Sequence, residues 1–232
     1  MRIFRGYGST RIKRIGFSPD AYVQMAMQVA AYRLFEEQVA TYESTQVRIF
    51  RHGRTETTRT VSHRSAAFVR RMGLRPSYGG DGMGEETIKN ERNEKLALLR
   101  SACEGHVMYL RNAAKGQGVD RHLMGLSLLQ KNVDNFGGDD GADVLTLFNH
   151  PLNVRSKHWR VSTSTLPNAP GFGQVVPDGL GIGYEVRPDD CIFTMTGLRR
   201  NNWTEKLGDL IEEAMVEIEL LNETNGMPSS RL

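Results

Sequence analysis

Trp159-Arg160-Val161-Ser162-Thr163-Ser164 is an alternating run that predicts a β-strand, and Phe172-Gly173-Gln174-Val175-Val176-Pro177-Asp178-Gly179 follows after a short loop. Side chains alternate between the two sides of a strand, so Ser162 and Ser164 are expected on the same side. Two hydroxyls on one side can donate hydrogen bonds to a developing oxyanion, or they can cap the end of the strand. Both roles fit the segment taken alone.

Strands and helices alternate on either side of this run, which is predicted to extend over 159–166. The other predicted strands cover 41–50, 55–60, 181–186 and 191–196. The predicted helices cover 19–38, 63–72, 86–114, 119–132 and 204–221. One face of the first helix is expected to pack inward through Val23, Ala26, Met27, Ala30 and Leu34. Helices interleaved with strands predict a layered α/β domain.

The glycines of Gly179-Leu180-Gly181-Ile182-Gly183 invite comparison with a dinucleotide-binding loop. They lack the GxGxxG spacing, and they lead into a predicted strand rather than a helix. A strand that is packed closely by another segment therefore explains them better.

Composition limits the classes of protein to consider. The 232 residues can bury a full core and fit one domain or two small ones. With 30 basic and 27 acidic side chains, the formal charge of +3 argues against a nucleic-acid-binding protein. The two cysteines are too few for a disulfide framework, and no Cys/His spacing predicts a metal site. No apolar run is long enough to predict a transmembrane segment.

Four blocks occur in order along the chain, at 18–26, 41–59, 120–126 and 159–179. Together they resemble the choline/carnitine acyltransferase family from Gly6 to Leu221. The resemblance implies a CoA-dependent α/β fold like that of chloramphenicol acetyltransferase, with a mixed β-sheet covered by helices. It also implies that residues 1–222 are the C-terminal half of a carnitine acyltransferase catalytic domain, followed by a flexible tail over 223–232.

Carnitine carries a carboxylate, a hydroxyl and a quaternary ammonium, so its site needs a cation, hydroxyl donors and an aromatic face. The resemblance implies that Tyr42, Thr55 and Arg121 bind the carboxylate. Choline has no carboxylate, and choline-specific relatives look like Gly-Arg-Val-Asp-Asn and Asp-Asn-His where this chain has 53–57 and 120–122. Arg121 and Thr55 therefore favour carnitine over choline.

The other end of carnitine is expected beside Phe172 and Val175, which match positions next to the trimethylammonium, with Ser162 nearby. The resemblance also implies that Ser44 binds carnitine, at a position close to the thiol end of CoA. By resemblance, Ser164 is the donor to the oxyanion of the tetrahedral intermediate.

Acyl-CoA is expected as a substrate, with no bound cofactor and no metal. The resemblance implies that Lys13, Asp20, Glu43 and Thr165 contact it. Two positions depart from the family pattern: Ser9 stands where a lysine is usual, and Val107 where an arginine is usual. Three nearby cations are candidates to compensate for the missing charge: Arg11, Arg14 and Arg111.

Acyl transfer from a thioester to an alcohol needs a general base for the hydroxyl proton. In the family this base is a histidine in the preceding half of the enzyme. No histidine of this chain has its sequence context: His52, His63, His106, His122, His150 and His158. The resemblance thus predicts a carnitine O-acyltransferase that lacks its N-terminal half and is inactive alone. A non-catalytic carnitine- or CoA-binding half-module and a choline acetyltransferase remain alternatives.

The last three residues, Ser230-Arg231-Leu232, are a conservative variant of the Ser-Lys-Leu peroxisomal address. A peroxisomal location is therefore predicted, with a mitochondrial location as the alternative. The expected partners are carnitine, acyl-CoA and the missing N-terminal half, and not nucleic acid.

Overall fold

A mixed sheet of six strands forms the centre of the molecule. The strands are β1 (Arg2–Phe4), β2 (Thr41–Gln46), β3 (Thr55–Arg59), β4 (Val161–Thr165), β5 (Leu180–Val186) and β6 (Cys191–Gly197). Their order in space is β1-β6-β5-β4-β2-β3, with β2, β4 and β5 parallel to one another. The structure is a computed structural model that describes residues 1–76, 84–134 and 147–222, with the backbone alone over 131–134.

Seven α-helices of the described residues connect and cover these strands. They are α1 (Ser9–Arg14), α2 (Pro19–Phe35), α3 (His63–Met72), α4 (Glu85–Ala114), α5 (Asp120–Asp134), α6 (Pro151–Ser156) and α7 (Trp203–Leu220). The predicted mixed α/β fold with a helix-covered sheet is confirmed. Within these ranges, no helix combines the length and hydrophobicity that a membrane span requires.

The helix α2 lies at the centre of the core and is enclosed on nearly all sides. It packs against α7, α3, α4 and the strand β5, so residues such as Tyr22, Met25 and Val29 are fully buried. The prediction of a single inward face was therefore too narrow. A helix that is apolar all round belongs in a protein interior rather than at its surface.

The two sides of the sheet carry different side chains. In the parallel strands, Glu43, Thr163 and Tyr184 face the helices, as the hydrogen bond from Gln24 of α2 to Thr163 shows (2.9 Å). Because strand side chains alternate, Ser162 and Ser164 face the opposite side. That side is covered by the segment 169–172.

Gly181 and Gly183 allow this segment to approach the sheet. A Cβ at Gly181 would lie 2.6 Å from the carbonyl oxygen of Phe172, and a Cβ at Gly183 would lie 2.2 Å from that of Pro170. Only a residue without a side chain fits such backbone contacts. The strand-packing interpretation of these glycines is thus confirmed.

Several predicted boundaries differ from the structure. The first helix ends at Phe35 instead of residue 38, because Glu36 adopts a left-handed conformation (φ 57°). The predicted strand over 41–50 ends at Gln46, where a tight turn begins; there a Cβ on Gly53 would lie 1.9 Å from the Val47 carbonyl oxygen. The short elements β1, α1 and α6 were not predicted, since three to six residues carry too little periodicity.

The predicted tail over 223–232 and its proposed address Ser230-Arg231-Leu232 lie outside the described residues. Both therefore stay predictions.

Candidate functional site

A cleft of about 670 Å³ opens at the carboxyl ends of β2 and β4. Ligands of α/β proteins commonly bind at this end of parallel strands. Seven of the sequence-predicted site residues line the cleft: Lys13, Asp20, Glu43, Ser44, Thr55, Ser164 and Thr165. The cleft brings together residues from both sides of the sheet because they meet where the strands end.

The floor of the cleft on the helix side is a buried polar cluster. Nε2 of His106, from α4, lies 2.9 Å from Oε2 of Glu43 and 3.5 Å from Oδ2 of Asp20. The hydroxyl of Tyr184 is 2.5 Å from Oδ1 of Asp20 and 3.2 Å from Oε1 of Glu43. Gln24 donates a hydrogen bond to the same hydroxyl (3.1 Å).

Burial and charge determine the protonation of this cluster. Burial opposes a charge on His106, but the close carboxylates of Asp20 and Glu43 outweigh it and raise the pKa of His106 to about 9. Burial raises the pKa of Glu43, against the opposing effect of His106. Burial, with the charges of Glu43 and Asp20, raises the pKa of Tyr184 well above its usual value, so its hydroxyl keeps its proton. At neutral pH the raised pKa of His106 thus favours an imidazolium beside the carboxyl groups of Asp20 and Glu43.

Ser164 and Ser162 follow the predicted alternation but differ in accessibility. Ser164 lines the cleft, and its hydroxyl has no hydrogen-bond partner within the described part of the chain. Ser162 is fully buried, and its hydroxyl donates to the carbonyl oxygen of Leu180 (3.4 Å). Phe172 is half-buried in the segment that covers Gly181. Ser162 and Phe172 therefore share one side of the sheet, behind the cleft.

Thr55 and Arg121 lie together, and their predicted binding of one carboxylate stays a prediction. The Arg121 side chain is exposed, and it donates to the carbonyl oxygen of Thr55 (Nε, 3.1 Å) and to the Thr55 hydroxyl (Nη2, 3.4 Å). The neighbouring Asp120 pairs with Arg59 instead (2.7 Å). Among the described residues, Arg121 has no acidic partner.

Tyr42 and Val175 do not line the cleft. Tyr42 packs against Trp159, with the ring centroids 5.9 Å apart, and it pairs with Ser162 in the β2–β4 ladder. Val175 is exposed beyond the segment that covers the sheet. Their predicted contacts with carnitine stay predictions.

All six histidines lie in the described part of the chain, and none lines the cleft. His158 pairs with Asp178 (2.8 Å), and His150 caps the helix α6. His106 lies beneath the floor on the helix side, whereas Ser164 faces the other side of the sheet.

Asp20, Glu43 and His106 are also the described residues that could hold a metal ion, because their donor atoms lie within 4.8 Å of one another. The imidazole already contacts both carboxylates, and Tyr184 donates to one of them. An ion pair therefore accounts for this arrangement.

Sequence reasoning did not assign roles to Gln24 and Tyr184, or connect His106 to the cleft. The available signal was the presence of polar side chains in otherwise apolar, buried elements. Such residues need buried partners, but the sequence does not show which strand or helix supplies them.

The mixed sheet, its helices and the cleft at the strand ends are consistent with the fold of CoA-dependent acyltransferases. The family model for choline/carnitine O-acyltransferases matches residues 1–213. The chain belongs to this family.

Both branches of the family are represented among similar proteins. Carnitine O-acetyltransferase of Mus musculus is 32% identical over 227 residues, covering 95% of this chain and 33% of the relative. The mitochondrial carnitine O-acetyltransferase of Saccharomyces cerevisiae is 36% identical over 185 residues, covering 78% of this chain and 25% of the relative. Choline O-acetyltransferase of Sus scrofa is 31% identical over 222 residues, covering 93% and 32%. The chain spans about a third of the length of these curated relatives, or less.

Proposed function

We propose that the chain forms the carnitine- and CoA-binding part of a carnitine O-acyltransferase, which transfers an acyl group reversibly between acyl-CoA and carnitine. The observation that carries this proposal is the guanidinium of Arg121, which is exposed beside the Thr55 hydroxyl (3.4 Å). A guanidinium next to a hydroxyl is a strong donor pair for a carboxylate. Carnitine has a carboxylate, and choline does not.

In the proposed reaction the carnitine hydroxyl attacks the thioester carbonyl carbon of acyl-CoA. The new C–O bond forms, the C–S bond breaks, and the CoA sulfur leaves with a proton. Ser164 donates a hydrogen bond to the carbonyl oxygen as it becomes an oxyanion. A general base must take the proton of the carnitine hydroxyl. Because no histidine of this chain lines the cleft, we propose that a residue outside the chain supplies this base.

The phosphates of CoA need cations, and two line the cleft: Lys13 of α1 and Arg111 of α4. Of the other candidates, Arg11 is paired with Glu219 (2.6 Å) and Arg14 lies outside the cleft. Arg111 follows Val107 by one helical turn on α4. We therefore propose that Arg111 compensates for the cation that is missing at Val107.

Two alternatives differ from this proposal, one in the acyl acceptor and the other in the absence of acyl transfer. A choline acetyltransferase, suggested by the similarity to that enzyme of Sus scrofa, would bind choline at this site and have no use for Arg121. A non-catalytic half-module would bind carnitine or CoA without any transfer of the acyl group.

Titration calorimetry of the folded chain with carnitine and with choline tests the proposal. Arg121→Gln should weaken carnitine binding by about tenfold to a hundredfold, since it removes a charge-assisted hydrogen-bonding partner. Arg70→Gln is the matched control, because Arg70 is exposed on α3 and lies away from the cleft. The control should bind carnitine as the wild type does.

Binding of choline in preference to carnitine, unchanged by Arg121→Gln, would contradict the carnitine assignment and favour the choline alternative. Carnitine and CoA binding without acyl transfer, even after addition of the N-terminal two thirds of a carnitine O-acetyltransferase, would favour the half-module.

A further inference from the structure

The buried polar cluster beneath the cleft contains three ionisable side chains in contact with one another: Asp20, Glu43 and His106. Asp20 and Glu43 line the cleft, while the His106 and Tyr184 side chains behind them are almost completely inaccessible. Buried ionisable groups are costly unless each has a partner. The arrangement of these partners therefore indicates what the cluster holds in place.

A count of the available donors and charges shows why the Glu43 carboxylate needs His106 beside it. Tyr184 has one hydroxyl proton, and its distance of 2.5 Å to Asp20 against 3.2 Å to Glu43 directs that proton to Asp20. Gln24 donates to the Tyr184 oxygen and so offers nothing to Glu43. Oε2 of Glu43 is left with the imidazole of His106, whose Nε2 lies 2.9 Å away in ion-pair contact but outside hydrogen-bond geometry. Without this cation, the buried carboxylate of Glu43 and the partly exposed carboxylate of Asp20 would repel each other, and one would take up a proton.

The same contacts fix what the cleft presents to a ligand. The Asp20 side chain is about one-third exposed, with 31% of its surface accessible, and the Glu43 side chain lies directly beneath it with 2%. Held as carboxylates, both offer acceptors only. An acceptor-only floor suits a neutral ligand group that donates N–H or O–H hydrogen bonds, and it repels phosphate. Lys13 and Arg111, which have no acidic partner among the residues that the structure describes, lie elsewhere on the cleft wall.

We propose that His106 is a positioning residue that, with Tyr184, holds Asp20 and Glu43 as hydrogen-bond acceptors for the neutral, amide-bearing arm of the acyl carrier. This inference rests on the proposed function, in which the carrier is CoA. It deepens that function by dividing the cleft into a neutral-donor section over His106 and an anion section at Lys13 and Arg111. His106 itself does not touch the carrier.

Three probes separate these sections: CoA, pantetheine, which has the amide arm without phosphates, and adenosine 3′,5′-bisphosphate, which has phosphates without the arm. In calorimetric titrations of the folded chain, His106→Gln should weaken CoA and pantetheine binding by about tenfold. It should leave adenosine bisphosphate binding within about twofold. His63→Gln, an exposed histidine at the start of α3, is the matched control and should leave all three affinities unchanged.

A charge-balance rescue distinguishes positioning from a packing role. In the double variant His106→Gln/Glu43→Gln, one negative charge is removed together with the cation, and the amide oxygen still accepts. Pantetheine affinity should recover at least partly relative to His106→Gln alone. A packing role for His106 would predict no such recovery.

The inference is overturned if His106→Gln leaves pantetheine binding unchanged, or if it weakens all three probes equally. It is also overturned if the wild-type chain binds adenosine bisphosphate and CoA but not pantetheine, although the proposed function then stands. A folded wild-type chain that binds none of the three probes contradicts the inference and the CoA part of the proposed function together.

Discussion

Single residues in the β2–β4–β5 region have roles that depend on which side of the sheet they face. Ser164 and Thr163 are neighbours in sequence, yet Ser164 opens into the cleft on one side and Thr163 accepts from Gln24 on the other. Alternation of side chains is a property of any strand. It explains why a Ser-Thr-Ser triplet provides one hydroxyl that lines the cleft at Ser164, one buried structural hydroxyl at Ser162 and one link to the core at Thr163.

The ion pair at His106 makes stability depend on pH in a defined direction. Its pKa is raised from 6.5 to about 9 on folding, so the folded protein binds more protons than the unfolded chain between these values. The stabilisation is complete below pH 6.5 and is lost as the pH rises through 9. Between pH 6.5 and 8, the free energy of unfolding should fall by about 1.5 kcal/mol from this group alone.

Urea unfolding of the wild type and of His106→Gln at the two pH values measures this contribution. The fall should be smaller in His106→Gln by the same amount and unchanged in His63→Gln. Equal pH dependence in all three proteins would show that folding does not raise the pKa of His106.

For single residues, the sequence predicts where a side chain lies on its helix or strand better than it predicts which residue that side chain contacts. Lys13, Asp20 and Ser164 lie at one cleft because motif positions fix where a residue sits on its element. Arg121 beside Thr55 is also as expected. The links from His106 and Tyr184 to Glu43 were not predictable, since they join α4, β5 and β2 across long separations in sequence.

Among the secondary-structure elements, β5 shows how a strand is shaped by what covers it. Its glycines at 181 and 183 face the carbonyl oxygens of 172 and 170, while Ile182 and Tyr184 are buried in the core. A strand with one glycine-lined side is weak by itself, because glycine loses more entropy on folding. Its stability here comes from the segment that packs on it.

Gly183→Ala tests this packing. The added Cβ would lie 2.2 Å from the Pro170 carbonyl oxygen, a backbone atom that cannot turn aside. The free energy of unfolding should fall by about 1–3 kcal/mol, the usual cost of overpacking. Gly173→Ala, directly after the segment 169–172, is the matched control, because a Cβ there meets no atom within 4 Å. Urea unfolding should show a change below about 0.5 kcal/mol for the control, and equal effects of the two variants would contradict the packing role.

The limits of the predicted elements have a common physical cause. The presence and the type of an element were predicted well for long periodic segments such as α4 and α7, where many apolar residues recur on one face. The end of β2 at Gln46 was missed because β-forming residues continue to Phe50. The chain turns there because Gly53 permits a close backbone approach, which overrides local strand preference.

At the scale of the whole molecule, a buried ion pair joins the central helix α2 to α7, the last helix of the described chain. Nη2 of Arg33 in α2 lies 2.6 Å from Oε2 of Glu217 in α7, with the side chains 1% and 3% exposed. Glu213 adds a second carboxylate at 3.6 Å. The central helix and the last helix therefore depend on each other for charge neutrality.

Arg33→Met should lower the free energy of unfolding by about 3–5 kcal/mol, because it leaves the buried Glu217 without its guanidinium. The double variant Arg33→Met/Glu217→Leu should be more stable than Arg33→Met alone. Arg71→Met, at the partly exposed pair with Glu91 and Glu94, should cost less than about 1 kcal/mol. Urea unfolding provides all three values, and a loss below about 1 kcal/mol for Arg33→Met would show that the α2–α7 pair is dispensable.

The alternation along β2, β4 and β5 also constrains how such a protein can change over time. A one-residue insertion in β5 would exchange the places of Gly183 and Tyr184, sending a phenol ring into the backbone of 170 and removing it from Asp20. Insertions in pairs would preserve the parity of the strand. Point substitutions at Ser44 and Ser164, in contrast, alter one side of the sheet without disturbing Glu43 and Thr163, which face the other side. The side chains on the two sides of the sheet can therefore change independently, although the same three strands carry both sets.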